Sequence, residues 1–184
     1  MRISLILILA LVFNGCVNQY KVRVDFSPVL REHFAELPTI EVDIAAVTDG
    51  EADEVKQMGV EEYFTPGSGI REKLQVQTCF FSREEQHSFV LPSRVPIWQT
   101  WLLKDPTNVL VIASLPPGPS TNPQSDPRLL TVTMKRSFIM ARNIYILVES
   151  DRIVQLTSSA FRARRSGDDS PVSTEQWIEP RPSR

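Results

Sequence analysis

Histidine and cysteine are scarce in this chain, with two of each in 184 residues. His33 and His87 have no second histidine, acid or thiol at ligand spacing, which leaves no zinc-type site and no metal residue to assign. Cys16 and Cys79 are the only thiols. If Cys16 is consumed by modification, no intrachain disulfide can form. Cys79, beside Phe80 and Phe81, reads as a buried strand cysteine acting as a small hydrophobe. A reactive thiolate would need an activating partner, for which His87 across a hairpin is the only lead. No apolar run reaches the about 20 residues that span a bilayer. Neither sign of charge dominates: 20 Lys and Arg face 22 Asp and Glu, for a net charge of −2. That balance lacks the clustered cationic field of a nucleic-acid binder. The one basic run, Arg162-Ala163-Arg164-Arg165, is followed by Asp168 and Asp169, and no nucleic-acid partner is expected. Gly67-Ser68-Gly69 follows a proline turn and matches neither a nucleophile elbow nor a phosphate loop. Glu61-Glu62 and Glu84-Glu85 are adjacent pairs that read as solvated loop charge. No catalytic or cofactor-binding residue stands out, and the chain is expected not to be an enzyme and to carry no cofactor.

What is present begins at the N-terminus. Arg2 precedes a mostly apolar run from Ile3 to Phe13, then Asn14-Gly15-Cys16. A positive start, a short hydrophobic core and a small residue before the cut describe an export signal over residues 1–15. Glycine followed by cysteine points to lipoprotein processing, with Cys16 carrying palmitate-type acyl chains as the new N-terminus. An ordinary secretory signal is the alternative, since Phe13 and Asn14 depart from the usual residues at those positions. About 0.8 kcal/mol per buried methylene makes several acyl chains a permanent anchor. Val17 is not aspartate, so the expected address is the outer membrane, periplasmic face. Loss of Arg2 takes the net charge of −2 to about −3.

Residues 16–158 are long enough for one domain with its own core. Tyr20 to Phe26 alternates apolar and polar side chains, as does Thr39 to Val47, where Ile40, Val42, Ile44 and Ala46 share one side; both read as half-buried strands. Thr48 to Gln57 reads as a capped helix with acids at its start and Gly59 as its left-handed stop. A turn follows around Pro66-Gly67. Leu74 to Phe81 and Ser88 to Leu91 read as strands. Pro96 to Lys104 reads as a short helix with proline in its first turn. Asn108 to Leu115 reads as a central strand, Pro116 to Pro127 as a long exposed loop, and Leu129 to Met134, Asn143 to Val148 and Arg152 to Leu156 as further strands. Residues 159–184, rich in Arg, Ser, Pro and Asp, are expected to be a disordered tail. Such an order predicts a mainly β protein, a two-sheet antiparallel sandwich with one or two short inserted helices. Trp98 and Trp101 fit a helix stripe packed onto a sheet; as an alternative they could form an aromatic platform for a carbohydrate.

The order of parts resembles the type VI secretion system outer-membrane lipoprotein family, TssJ. The resemblance runs from Cys16 and the strand soon after it, through Pro38-Thr39-Ile40-Glu41-Val42-Asp43-Ile44-Ala45-Ala46-Val47-Thr48-Asp49 leading into a helical insertion, and Glu61-Glu62-Tyr63-Phe64. It continues with Phe89-Val90-Leu91-Pro92, the strand from Val109 to Leu115 and the closing hairpin around Asn143 to Leu156. Departures are Pro92-Ser93 in place of Pro-Gly, the Trp98/Trp101 segment, and the tail after Ser158. The resemblance implies a transthyretin-like sandwich that anchors a secretion complex by binding the periplasmic part of the inner-membrane protein TssM. It further implies that the loop between the first two strands, Ser27 to Pro38, makes that contact, with Leu30, His33 and Phe34 as its contact residues. Leu30 and Phe34, four apart, would alternatively pack one helical turn onto the sandwich. The runner-up function is a lipid-anchored or secreted module binding a carbohydrate or other small ligand through Trp98, Trp101 and the Pro116 to Pro127 loop.

Overall fold

The computed structural model describes residues 20–27, 39–81, 88–117, 126–134 and 142–165. The strands are β1 (Tyr20–Phe26), β2 (Ile40–Val47), β3 (Gln77–Phe81), β4 (Ser88–Leu91), β5 (Asn108–Ala113), β6 (Leu129–Thr133), β7 (Arg142–Val148) and β8 (Ile153–Leu156). They form two four-stranded sheets, ordered β4-β1-β7-β8 and β3-β2-β5-β6. Alternation explains the layers. Val22, Val24, Ile144 and Ile146 from the first sheet, with Val42, Ile44, Val109 and Val111 from the second, are buried in one core. The sandwich expectation is therefore met, with one correction: β1 and β7 pair in parallel, Tyr20 opposite Arg142 through Phe26 opposite Val148. Every other ladder among the described residues is antiparallel. A parallel pair needs a long crossover, and here the whole second sheet lies in the chain between β1 and β7.

Among the described residues five helices join this frame: α1 (Asp49–Met58), α2 (Val60–Phe64), α3 (Ile70–Leu74), α4 (Pro96–Leu102) and α5 (Ser158–Arg165). Thr48 caps α1 in a capping box with Glu51, whose carboxylate accepts from the Thr48 backbone N–H at 2.9 Å, satisfying amides that a helix start leaves unpaired. Gly59 stops it with φ of 84°, a value that disfavours any side chain. The expected turn at 60–67 contains α2, and the strand expected from Leu74 begins only at Gln77 because α3 occupies Ile70–Leu74. Gln75, left-handed at φ of 55°, makes that break.

Helices α1 to α3 cover the outer face of the second sheet. Ala52, Val55, Val60, Tyr63, Ile70 and Leu74 turn inward onto it, which is why β5 is buried along its whole length. On the opposite side of the sandwich, α5 lays Ala160 and Phe161 over Leu147, Val154 and Leu156 as a second small core. The tail expected to be disordered from residue 159 is thus helical through Arg165, because Phe161 finds the Tyr145 ring to stack on at 4.3 Å. Residues 166–184 lie outside the described residues.

Candidate partner-binding site

The registers divide the molecule into two ends. At one, β1 begins at Tyr20, β7 begins at Arg142, β2 ends into α1 and β4 ends into α4. At the other, β1 ends at Phe26 beside Val148, β2 begins at Ile40 opposite Phe81, and β5 ends as β6 begins. The seven residues of β1 carry the chain about 23 Å from the entry end to this far end, at about 3.3 Å per residue.

The far end is held firmly on both sheets. Phe26 and Phe81 bring ring centroids to 3.6 Å, joining the sheets across the core. The buried Ser27 donates its backbone N–H to Val148 O at 2.9 Å. Phe80, 54% exposed on the edge strand β3, stands opposite Glu41. Arg128, 5% exposed, grips both ends of the connection between β5 and β6. Its Nη1 donates to Leu115 O at 3.1 Å, while Nε and Nη2 form a fork on Asp126 at 2.9 and 2.6 Å. A further bond of 2.7 Å reaches Glu61 on α2. Planar forks of this kind fix geometry as well as charge.

Burial acts to raise the Asp126 carboxyl, but hydrogen bonds from the Arg128 side chain and backbone outweigh it and hold the group below its ordinary value. Glu61 is also lowered, chiefly by its bond to Arg128. Both carboxyls therefore bind protons less readily folded than unfolded. The stability they contribute is present above their ordinary range, about pH 4, and is lost as pH falls through the lowered folded values. Asp126→Asn should accordingly show a shallower fall in urea midpoint than wild type between about pH 5 and about pH 2; parallel curves would remove Asp126 from the acid response.

A second buried polar cluster fastens the helical layer. Asp43, 1% exposed, accepts from Tyr63 Oη at 2.9 Å, Thr78 Oγ1 at 2.5 Å and Arg71 Nε at 2.7 Å. Arg71 also pairs with Glu41 and lies over the Phe64 ring at 5.4 Å. Burial opposes the Arg71 charge, yet its bonds to Asp43 and Glu41 raise its basicity. The Tyr63 hydroxyl is pushed well up by burial and then by the Asp43 charge, so it remains a donor. Alternation along β2 puts Asp43 on the side away from Val42 and Ile44, and the sequence alone reads that side as solvent. Only the docked helices reveal it as buried. The same holds for Arg128, which follows a proline in a polar stretch.

The expected site residues fall as follows. Cys16, Leu30, His33 and Phe34 lie outside the described residues, as does His87. The segment carrying Leu30, His33 and Phe34 departs from Ser27 and returns at Thr39, both at the far end. Trp98 and Trp101 are 2% and 0% exposed. They meet edge to face at 5.1 Å, and Trp98 stacks on Tyr20 at 5.9 Å. Their indole N–H groups donate to Pro92 O and Gln75 O, each at 3.0 Å. The platform alternative is corrected here: neither ring keeps a face for a sugar. Cys79 is buried, with its thiol pushed up to about 12 by burial and by the Asp43 charge. That leaves a neutral side chain packed in a strand. Among the described residues no group of His, Cys, Asp or Glu could hold a metal ion, and no helix is long and apolar enough to cross a membrane.

No protein-family model and no curated protein matches the sequence. Solved structures do. The fold matches Serratia marcescens Lip, a membrane-bound component of the type VI secretion system, at 10% identity and a TM-score of 0.50, covering 77% of this chain and 99% of that one. A chain in the structure of the T6SS protein TssM C-terminal domain from EAEC matches at 11% identity and 0.50, with the same coverage. A chain of a type VI membrane complex matches at 11% and 0.51, again over 77% and 99%. At such identities the likeness establishes a shared fold, a mainly β sandwich spanning almost the whole of each neighbour.

Proposed function

We propose that this chain is an outer-membrane lipoprotein of a type VI secretion membrane complex, anchored through Cys16 and binding the periplasmic part of a TssM-like inner-membrane protein. The observation that carries the reading is the shared fold with a membrane-bound secretion component along 99% of that component's length. The two ends of the sandwich give it a physical form. An anchor at Cys16 sits next to the entry end, and the segment between β1 and β2 is presented at the other, toward the periplasm. Leu30, His33 and Phe34 supply side chains for a partner's pockets, and the exposed Phe80 adds an aromatic anchor of the kind that dominates interface energetics. The role is one of tethering, without catalysis.

Replacing residues 28–38 with a short Gly-Ser linker tests it. The variant should lose at least about 100-fold in affinity for the TssM-like periplasmic fragment, the loss of about 3 kcal/mol expected of a hot-spot cluster, with its melting temperature measured alongside so that loss of the contact is told apart from loss of the fold. Full affinity in the linker variant would move the contact elsewhere. Mass spectrometry of the envelope-extracted protein should find Cys16 acylated; an unmodified Cys16 would sink the anchor.

A further inference from the structure

Among the described residues two large apolar side chains stand exposed, Phe80 at 54% and Leu103 at 88%. They lie at opposite ends of the sandwich. Phe80 precedes Phe81, which faces Ile40 at the far end, and Leu103 follows α4 at the entry end. A lone exposed leucine is ordinary, but this one belongs to a larger uncharged surface. From Val95 to Leu103 the chain carries no charged residue. The inward stripe of α4 is Trp98 and Trp101. Its outward stripe, at helical spacing, is Pro96, Gln99 and Leu103, all exposed. The wet face of a surface helix ordinarily carries charge.

The backbone holds Leu103 in that position. Its N–H donates to Gln99 O at 3.3 Å, and the next two donate to Trp101 O and Leu102 O at 3.0 and 3.2 Å. Lys104 Nζ donates to Lys73 O at 3.0 Å, and Pro106 is buried. Thr107 then donates its N–H to Val47 O at 3.0 Å, which ties the turn to the last residue of β2. The leucine is thus presented outside the core by a fixed turn.

Helix α4 leads from the end of β4 in the first sheet to the start of β5 in the second, so it closes the entry end across both sheets. Tyr20, the first residue of β1, stacks on Trp98 at 5.9 Å. Cys16 and Tyr20 are four Cα steps apart, at most about 14 Å of extended chain. The headgroup layer outside the hydrocarbon is itself roughly 5–8 Å deep. An acylated Cys16 therefore leaves room for little more than that layer between the acyl chains and the entry end.

We propose that the outer stripe of α4, with Leu103 as its tip, is a membrane-contact foot that seats in the headgroup and acyl boundary of the bilayer. The foot would hold the strands upright on their short tether and keep the segment between β1 and β2 pointed away from the lipid. Its orientation rests on the Cys16 anchor proposed above, whereas its affinity for lipid does not. Burial of the leucine is the attraction. Charge is not, because the exposed residues that border the stripe, Arg94, Lys104 and Asp105, are of mixed sign.

The test uses the full mature chain, residues 16–184, with one 14-carbon chain coupled to the Cys16 thiol; Cys79 is buried. A single such chain binds membranes only marginally and reversibly, so an added contact can be read as a change in partitioning. Partitioning into phosphatidylcholine vesicles should weaken about 10-fold in Leu103→Ala, equally at low and high salt. Leu103→Trp should bind at least as tightly as wild type, since tryptophan favours the interface. Phe80→Ala, at the far end, should partition like wild type. Equal partitioning of wild type and Leu103→Ala would overturn the proposal whether or not native Cys16 is acylated, and so would an equal loss in Phe80→Ala. Leu103-dependent self-association without lipid, seen by sedimentation velocity, would overturn it in favour of a second copy of the chain. Leu103-dependent partitioning alongside an unmodified native Cys16 would keep the foot and remove only the anchor.

Discussion

Asp43→Ala should destabilise the domain by about 3–5 kcal/mol, the cost of breaking one side of a buried ion pair. For a domain of this size each kcal/mol lowers the melting temperature by about 2–4 °C, so a fall of about 6–20 °C is expected in a calorimetric scan. The size follows from what is left behind. Arg71 loses its 2.7 Å bond to a fully buried acceptor, and the Tyr63 and Thr78 hydroxyls lose theirs. Stranded buried donors each cost desolvation that nothing repays. Because α2 and α3 reach the sheet through these groups, the loss should appear first as faster hydrogen exchange in residues 60–74. A conservative Asp43→Asn keeps an acceptor for Tyr63 and Thr78 and should fall between wild type and alanine. A melting temperature unchanged in Asp43→Ala would mean that apolar packing alone holds the helical layer.

Trp101→Ala should cost a similar about 3–5 kcal/mol, as large aromatic truncations in cores do. Trp101 is fully buried, edge-on to Trp98, and ties α4 to the residue that ends α3 through its bond to Gln75 O. Its removal opens a cavity and frees that carbonyl at once. Circular dichroism and thermal melting of the variant are the measurements. A Trp101→Ala protein that melts like wild type yet has lost affinity for an oligosaccharide would restore the platform reading; a protein that melts early returns the ring to its place in the core.

How legible all this was depended on whether the deciding contact was local. Alternation over Tyr20–Phe26 and Ile40–Val47 and the apolar run from Asn108 marked the strands directly, since one buried face imposes period two. Thr48 followed by Glu51 marked the start of α1. The five-residue helices α2 and α3 span less than two turns, too few for a 3.6-residue period to register. The parallel partnership of β1 and β7 is a choice between residues over a hundred positions apart, which no local pattern records. Asp43 shows a related limit. In a strand with one wet face an outward acid is unremarkable, and it becomes the centre of a cluster only when Arg71 and Tyr63 arrive from a separate element. Arginines dominate the composition of helix α5 and hide it from a reading by pattern, while its apolar docking comes from Ala160 and Phe161. For the proposed partner contact, the family resemblance implied a location, the chain between β1 and β2, and the registers put the ends of that chain opposite the entry end.

Strand β1 has hydrogen-bonded neighbours on both sides, β4 and β7. If a tether pulls on its first residue and a partner on the segment after its last, tension runs along the strand axis. The ladders to β4 and β7 are then loaded in shear, with many bonds sharing the strain together, instead of being peeled apart one at a time from an edge. In the proposed tethering role, an outer-membrane anchor and an inner-membrane partner would be drawn apart whenever the two membranes separate. A strand clamped on both flanks and pulled lengthwise is the arrangement in which that load meets the greatest resistance before the domain yields.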